Sequence, residues 1–166
     1  MSNGLASHSI SLLVANKPGV LIRIALVFAR RGYNIDSLVV SRAHDPNFSR
    51  MTIVASGDLK TLEQIIKQLN KLVDVLHAQD HTGEVMVEKE LVLIKVKCPP
   101  DKRGEIFQVV EHFNGQTMDL TNSSVTIQVT GNPDKLDAVE AILDPYGVIE
   151  MIRSGKLIMT RGEQVT

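Results

Sequence analysis

The stretch Ser9–Ile35, SISLLVANKPGVLIRIALVFARRGYNI, decides how this chain folds. Ile10, Leu12 and Val14 alternate with Ser9 and Ser11, the period-2 signature of a half-buried strand. Pro18-Gly19 breaks that pattern. From Val20 to Arg31 a helix can place Val20, Leu21, Ile24, Val27 and Phe28 on one face, and Gly32 is a natural left-handed stop. A second strand begins at Asn34. Asn16, Asn34, a glycine turn and a fresh helix N-terminus are therefore expected to converge at one end of a sheet, a grouping that suits a small zwitterion.

Outward from this stretch, Asp45-Pro46-Asn47 reads as a hairpin turn into a strand where Met51, Ile53 and Ala55 alternate with Arg50 and Thr52. Asp58 can cap a helix in which Leu59, Leu62, Ile65, Ile66, Leu69 and Leu72 recur at helical spacing, before a strand over Val73–Asp80. The order is βαββαβ. A second copy follows: a strand at Glu90–Lys97, a Pro99-Pro100 break, and a helix with Ile106, Val109, Val110 and Phe113 in register that stops at Asn114-Gly115. Strands at Gln116–Leu120 and Val125–Val129, a helix through Leu136, Val139 and Leu143, and a strand at Val148–Ile152 complete it. Gly32 pairs with Gly115 and Leu62 with Leu136, offsets of 83 and 74, so the second copy is about nine residues shorter in its hairpin. The fold class is α+β, two tandem ferredoxin-like βαββαβ sandwiches, with domains over residues 1–81 and 82–166 and the boundary near His81-Thr82-Gly83-Glu84.

The 166 residues are 43% hydrophobic and 22% charged, ordinary for a globular chain, and no run approaches the ~20 apolar residues that span a bilayer. Met1–Ser7 is short and polar, without the basic start and apolar centre of a secretory signal, and Cys98 is the single cysteine; a cytoplasmic location is expected. A net charge of −1 with interspersed signs lacks the electrostatic footprint of a nucleic-acid binder.

The Asn16–Gly19 loop joins a strand to a helix, so unpaired N–H groups and the positive end of the helix dipole there favour a carboxylate. Asn16 and Asn34 each add a group that both donates and accepts. The same tetrapeptide also reads as ordinary turn chemistry, with Asn16 a local capping residue. Ile22 and Leu26 point away from the helix's core face beside Arg23 and Arg30; they read either as an interface strip or as scattered surface apolar residues. His77 and His81, on a strand end and turn, read as exposed side chains rather than a metal pair, and no catalytic constellation or metal site emerges. The strand Arg50–Val54 offers no aromatic for base stacking, and the first strand-to-helix loop has Lys17 where an acylphosphatase-like phosphate site needs an arginine.

Asn16-Lys17-Pro18-Gly19-Val20-Leu21, Arg31-Gly32-Tyr33-Asn34-Ile35-Asp36-Ser37-Leu38, Ser49-Arg50-Met51-Thr52-Ile53 and Gln68-Leu69-Asn70-Lys71-Leu72-Val73-Asp74-Val75 resemble an ACT domain. With Arg153-Ser154-Gly155 and Arg161-Gly162, nearly the whole chain resembles the small regulatory subunits of acetolactate (acetohydroxyacid) synthase. The resemblance implies a non-catalytic chain that binds a larger catalytic subunit, itself carrying thiamine diphosphate, magnesium and FAD. It implies activation of that partner and feedback inhibition by valine, sometimes also by leucine or isoleucine, in branched-chain amino-acid synthesis. It further implies homodimerisation through ACT domains, with the effector between Asn16, Gly19, Val20 and Leu21 of one chain and Asn34 and Ile35 of its mate. Ile22 and Leu26 are the candidate interface residues. The second half has Pro99-Pro100-Asp101-Lys102-Arg103-Gly104 in place of Asn-x-Pro-Gly, so folding, dimerisation or partner contact is expected of it. The alternatives are a free-standing ACT-type sensor of another enzyme or transporter and a small acylphosphatase-type hydrolase.

Overall fold

A computed structural model describes residues 6–166, so the polar start read at Met1–Ser7 lies outside the described residues except for its last two. The elements run β1 (Ala6–Ala15), α1 (Val20–Ala29), β2 (Asn34–Arg42), β3 (Phe48–Gly57), α2 (Leu59–Leu69) and β4 (Val75–Asp80). They continue β5 (Val87–Lys97), α3 (Arg103–His112), β6 (Gln116–Leu120), β7 (Ser124–Gly131), α4 (Pro133–Gly147), β8 (Val148–Arg153) and β9 (Leu157–Met159). The doubled βαββαβ order is present, and β9 is an addition that the sequence reading did not anticipate.

Contacts divide the chain into two compact units. Unit 1 runs up to Val87 and includes Ile158–Thr166; unit 2 is Glu88–Leu157. The last nine residues thus group with unit 1, where the Arg50 guanidinium donates to the Thr166 carbonyl at 2.5 Å.

In unit 1 the antiparallel sheet has the order β2-β3-β1-β4. Ile10, Leu12 and Val14 of β1 and Met51, Ile53 and Ala55 of β3 turn one face toward Val20, Ile24, Val27 and Phe28 of α1 and Leu62, Ile65 and Leu69 of α2, all buried. The two helices cover that face because their apolar side chains recur at three- and four-residue spacing. Leu21 departs from the expected core face: it is 41% exposed, since the buried stripe of α1 runs 20, 24, 27, 28 and position 21 lies beside it. Asp58 caps α2 as expected, its carboxylate accepting from the Thr61 N–H at 2.8 Å. The Asp45-Pro46-Asn47 turn is closed by Phe48 N–H donating to the Asp45 carbonyl at 3.1 Å.

Unit 2 repeats the plan with the path β6-β7-β5-β8. Its core joins Val92, Ile94 and Val96 to Val125, Ile127 and Val129 beneath Ile106, Val110, Leu136, Val139 and Leu143. Asn132 caps α4 by accepting from Lys135 N–H at 3.0 Å. The left-handed residue that ends α3 is Asn114 (φ 52°), matching Gly32 (φ 62°) after α1; Gly115 is not left-handed. The first offset between copies is therefore 82 rather than 83, and the hairpin is about eight residues shorter. Asparagine can make this stop because its short polar side chain tolerates the left-handed region.

Candidate functional site

β1 delivers the chain to the Asn16–Gly19 loop at a fixed position. Ala15 N–H donates to the Asp74 carbonyl at 2.7 Å, Asn16 N–H to the Asn47 carbonyl at 2.8 Å, and Lys17 N–H back to the Ala15 carbonyl at 3.0 Å. Gly19 is the N-cap of α1 and sits in the left-handed region, φ 84°, where an L side chain is disfavoured by about 1–2 kcal/mol. The first helical bond is Arg23 N–H to the Gly19 carbonyl at 3.2 Å, which leaves the N–H groups of the first turn without an intrahelical acceptor. No side chain caps this end, and no acidic residue lies in the first turn. Two cations stand beside it: Arg23 pairs with Asp74, and Lys17 Nζ lies 3.9 Å from the same carboxylate.

Asn34 is not at this end of the sheet. Ala15 lies opposite Phe48, whereas Asn34 lies opposite Ser56, at the far end of β3. The crossover through α1 returns the chain to the end where β1 began, so the end of β1 and the start of β2 are held apart within one unit. Both asparagines are nevertheless oriented alike. Asn16 Nδ2 donates to the Pro46 carbonyl at 3.0 Å and Asn34 Nδ2 to the Asp36 carboxylate at 2.7 Å. Because each partner is an acceptor, each amide must present its nitrogen there. Among the described residues, both Oδ1 atoms are left without a donor.

Val20 is core and Ile35 packs half-buried against it, whereas Leu21, Ile22 (66% exposed) and Leu26 (43%) form an open apolar strip on α1. β2 is an edge strand, with Leu38 and Val40 exposed, so half of its backbone polar groups face away from β3.

The matching loop of unit 2 is occupied differently. The N-cap of α3 is Lys102, in right-handed helical geometry, and Glu105 in the first turn accepts from Lys102 Nζ and from the Tyr146 hydroxyl, each at 3.0 Å. The hydrogen bond from Lys102, then that from Tyr146, hold the Glu105 carboxyl below its ordinary range. The same bond raises Lys102, and the Glu105 hydrogen bond, then burial, raise Tyr146.

The histidines correct the sequence reading. His77 is exposed, but His81 is buried at 4% exposure; its Nε2 meets Ser11 Oγ at 2.7 Å and its Nδ1 meets Glu84 Oε2 at 2.8 Å. His8 is also buried, between Thr82 Oγ1 and the Gly57 carbonyl, both at 3.2 Å. Together they fasten the His81–Glu84 turn to β1. Serine, imidazole and carboxylate stand in relay order, but Ser11 is 4% exposed in mid-strand, out of reach of an acyl carbon. The strand alternation that places Ser11 on the sheet face away from the helices was visible in sequence; its partner, 70 residues on, was not. Among the described residues no group of three or more metal-ligating side chains occurs, and no helix is long and apolar enough to cross a membrane.

Residues 10–77 match a family model described as an AHAS small subunit-like ACT domain, and residues 89–162 match one described as the small subunit of acetolactate synthase. A probable acetolactate synthase small subunit of Archaeoglobus fulgidus is 47% identical over 157 residues, 95% of this chain and 98% of that one. The acetolactate synthase small subunit of Mycolicibacterium smegmatis is 44% identical, covering 98% and 95% respectively. The crystal structure of the small subunit from Thermotoga maritima superposes with a TM-score of 0.84 at 41% identity, over 96% of this chain and all of that one.

Proposed function

The chain belongs to the family of acetolactate synthase small subunits, and from that premise we propose that it is a cytoplasmic, non-catalytic homodimer that activates the large subunit and makes it responsive to a branched-chain amino acid. Thiamine diphosphate, magnesium and FAD belong on the large subunit in this reading. The observation that carries the effector site is the uncapped, acid-free N-terminus of α1 beside an asparagine whose Oδ1 is unengaged. The first-turn N–H groups receive the effector carboxylate. Asn16 Oδ1 accepts from its ammonium, and Leu21 lends apolar cover to the branched side chain.

Asn34 joins from the mate. If two β2 edges pair antiparallel about a two-fold axis, the start of one β2 comes to the end of the other that lies near Ala15 and Phe48, because Arg42 is opposite Ser49 there. Asn34 and Ile35 of one chain are then brought toward residues 16–21 of its partner. A site completed by two chains couples effector binding to their arrangement. A preference of about 1–3 kcal/mol for one arrangement changes activity roughly 5- to 150-fold. Ile22 and Leu26 supply apolar contact for the dimer or the large subunit.

The test is reconstitution with the large subunit and titration with valine, leucine and isoleucine. Activation with inhibition by one of them is expected. A chain that neither co-elutes with the large subunit nor alters its rate would instead favour the free-standing sensor.

A further inference from the structure

We infer that Arg23 is a carboxylate-binding residue of the effector site and that Asp74 positions it; this rests on the effector reading above. Arg23 is the fourth residue of α1, and helical side chains lean toward the N-terminus, so its guanidinium extends over the loop rather than along the helix. One side of that group is fixed: Nη2 is bonded to Asp74, whose backbone carbonyl receives Ala15 N–H and so ties the pair to the end of β1. The other side faces the glycine. A Cβ built on Gly19 would lie 3.5 Å from Arg23 Nη1, and Nη1 donates to no acceptor among the described residues.

Lys17 and Arg23 share the single carboxylate of Asp74, which leaves one positive charge in excess where the first-turn N–H groups are unpaired. A ligand carboxylate over Gly19 therefore meets backbone donors from one side and a half-exposed, pre-oriented guanidinium edge from the other. Charge-assisted bonds of this kind are about twice as strong as neutral ones. Gly19 is required twice over, for its left-handed backbone and because a side chain there would stand between Arg23 and the ligand.

The experiment is calorimetric binding of L-valine, L-leucine and L-isoleucine, and of their primary amides, to the full chain and to Arg23→Gln, Arg23→Lys and Asp74→Asn. The amides keep the ammonium and the side chain but lose the carboxylate charge. The wild-type chain should prefer the best acid over its amide by about 10- to 100-fold, the range of one charged hydrogen bond. Arg23→Gln should collapse most of that preference, Arg23→Lys should restore part of it, and Asp74→Asn should narrow it. An unchanged acid-to-amide ratio in Arg23→Gln, or an equal fall for both ligands, would overturn the assignment while leaving the effector site standing. Should Arg23→Gln fail to fold, the lysine and Asp74→Asn variants decide by the same ratio. Absence of binding of all three amino acids to the wild-type chain would overturn both readings.

Discussion

α1 and α3 hold equivalent places in the two units, and their buried sides are close copies: Ile24 and Phe28 in one, Ile106 and Val110 in the other, at the same offset of 82. Their N-termini are opposites. α1 begins on a left-handed glycine with no cap, no acid and an excess of positive charge, whereas α3 begins on Lys102 and carries its own carboxylate, Glu105, already bonded to Lys102 and Tyr146. Side chains facing the core answer to packing, which both units share; side chains at a helix end answer to charge, and there the two have diverged. In the proposed reading, unit 2 fills internally the role that unit 1 leaves for an effector carboxylate.

The shared half of the comparison has the largest expected energies. Ile24→Ala and Ile106→Ala each remove a fully buried side chain and should cost about 2–5 kcal/mol, read from chemical denaturation followed by probes in each unit. A cost at one site near zero would show that the cores are not equivalent. Gly19→Asp gives unit 1 the carboxylate that unit 2 already has. Effector affinity should fall about 10- to 100-fold, measured as the shift in the inhibition curve of the reconstituted enzyme. Unaltered inhibition would remove any functional meaning from the difference between the loops.

A smaller effect belongs to the capped helices: Asn132→Ala should destabilise unit 2 by about 1 kcal/mol without touching the effector response. The smallest is the pH dependence of the α3 loop. Glu105 binds its proton less readily in the folded chain than in the unfolded one, so its contribution is full above the ordinary carboxylate range and is lost as pH falls through its lowered value. Lys102, raised by the same bond, contributes fully below the ordinary lysine range and loses that contribution as pH rises through its own raised value. Glu105→Gln should therefore melt slightly below wild type at pH 7, with the gap closing as pH falls through the lowered Glu105 value. A gap that persists after the carboxyl is protonated would assign the effect to packing of Tyr146 instead.

Much of this was legible in the residues. Alternation in Ile10, Leu12 and Val14 fixed which face of β1 is buried, Asp58 marked a helix start, and the Asn-Lys-Pro-Gly loop singled itself out. The errors share one cause. Periodicity puts Leu21 on the core face because a helical stripe has soft edges. His81 was read as exposed because a turn residue with no periodic neighbours gives no sign that Ser11 and Glu84 will enclose it. Asn34 was set beside Asn16 because alternation reports faces, not ends, although the crossover rule for a strand, helix, strand unit already separates them.

By itself the sequence determined the two α+β copies, the family and the chemistry of one loop, since these depend on periodicity, caps and local backbone preference within a few residues. Tertiary structure alone decided that β2 is left as an open edge and that Arg23 and Asp74 meet beside Gly19. Each depends on which segments remote in sequence come to lie side by side. Strand register and helix crossover set them, and no local pattern encodes either.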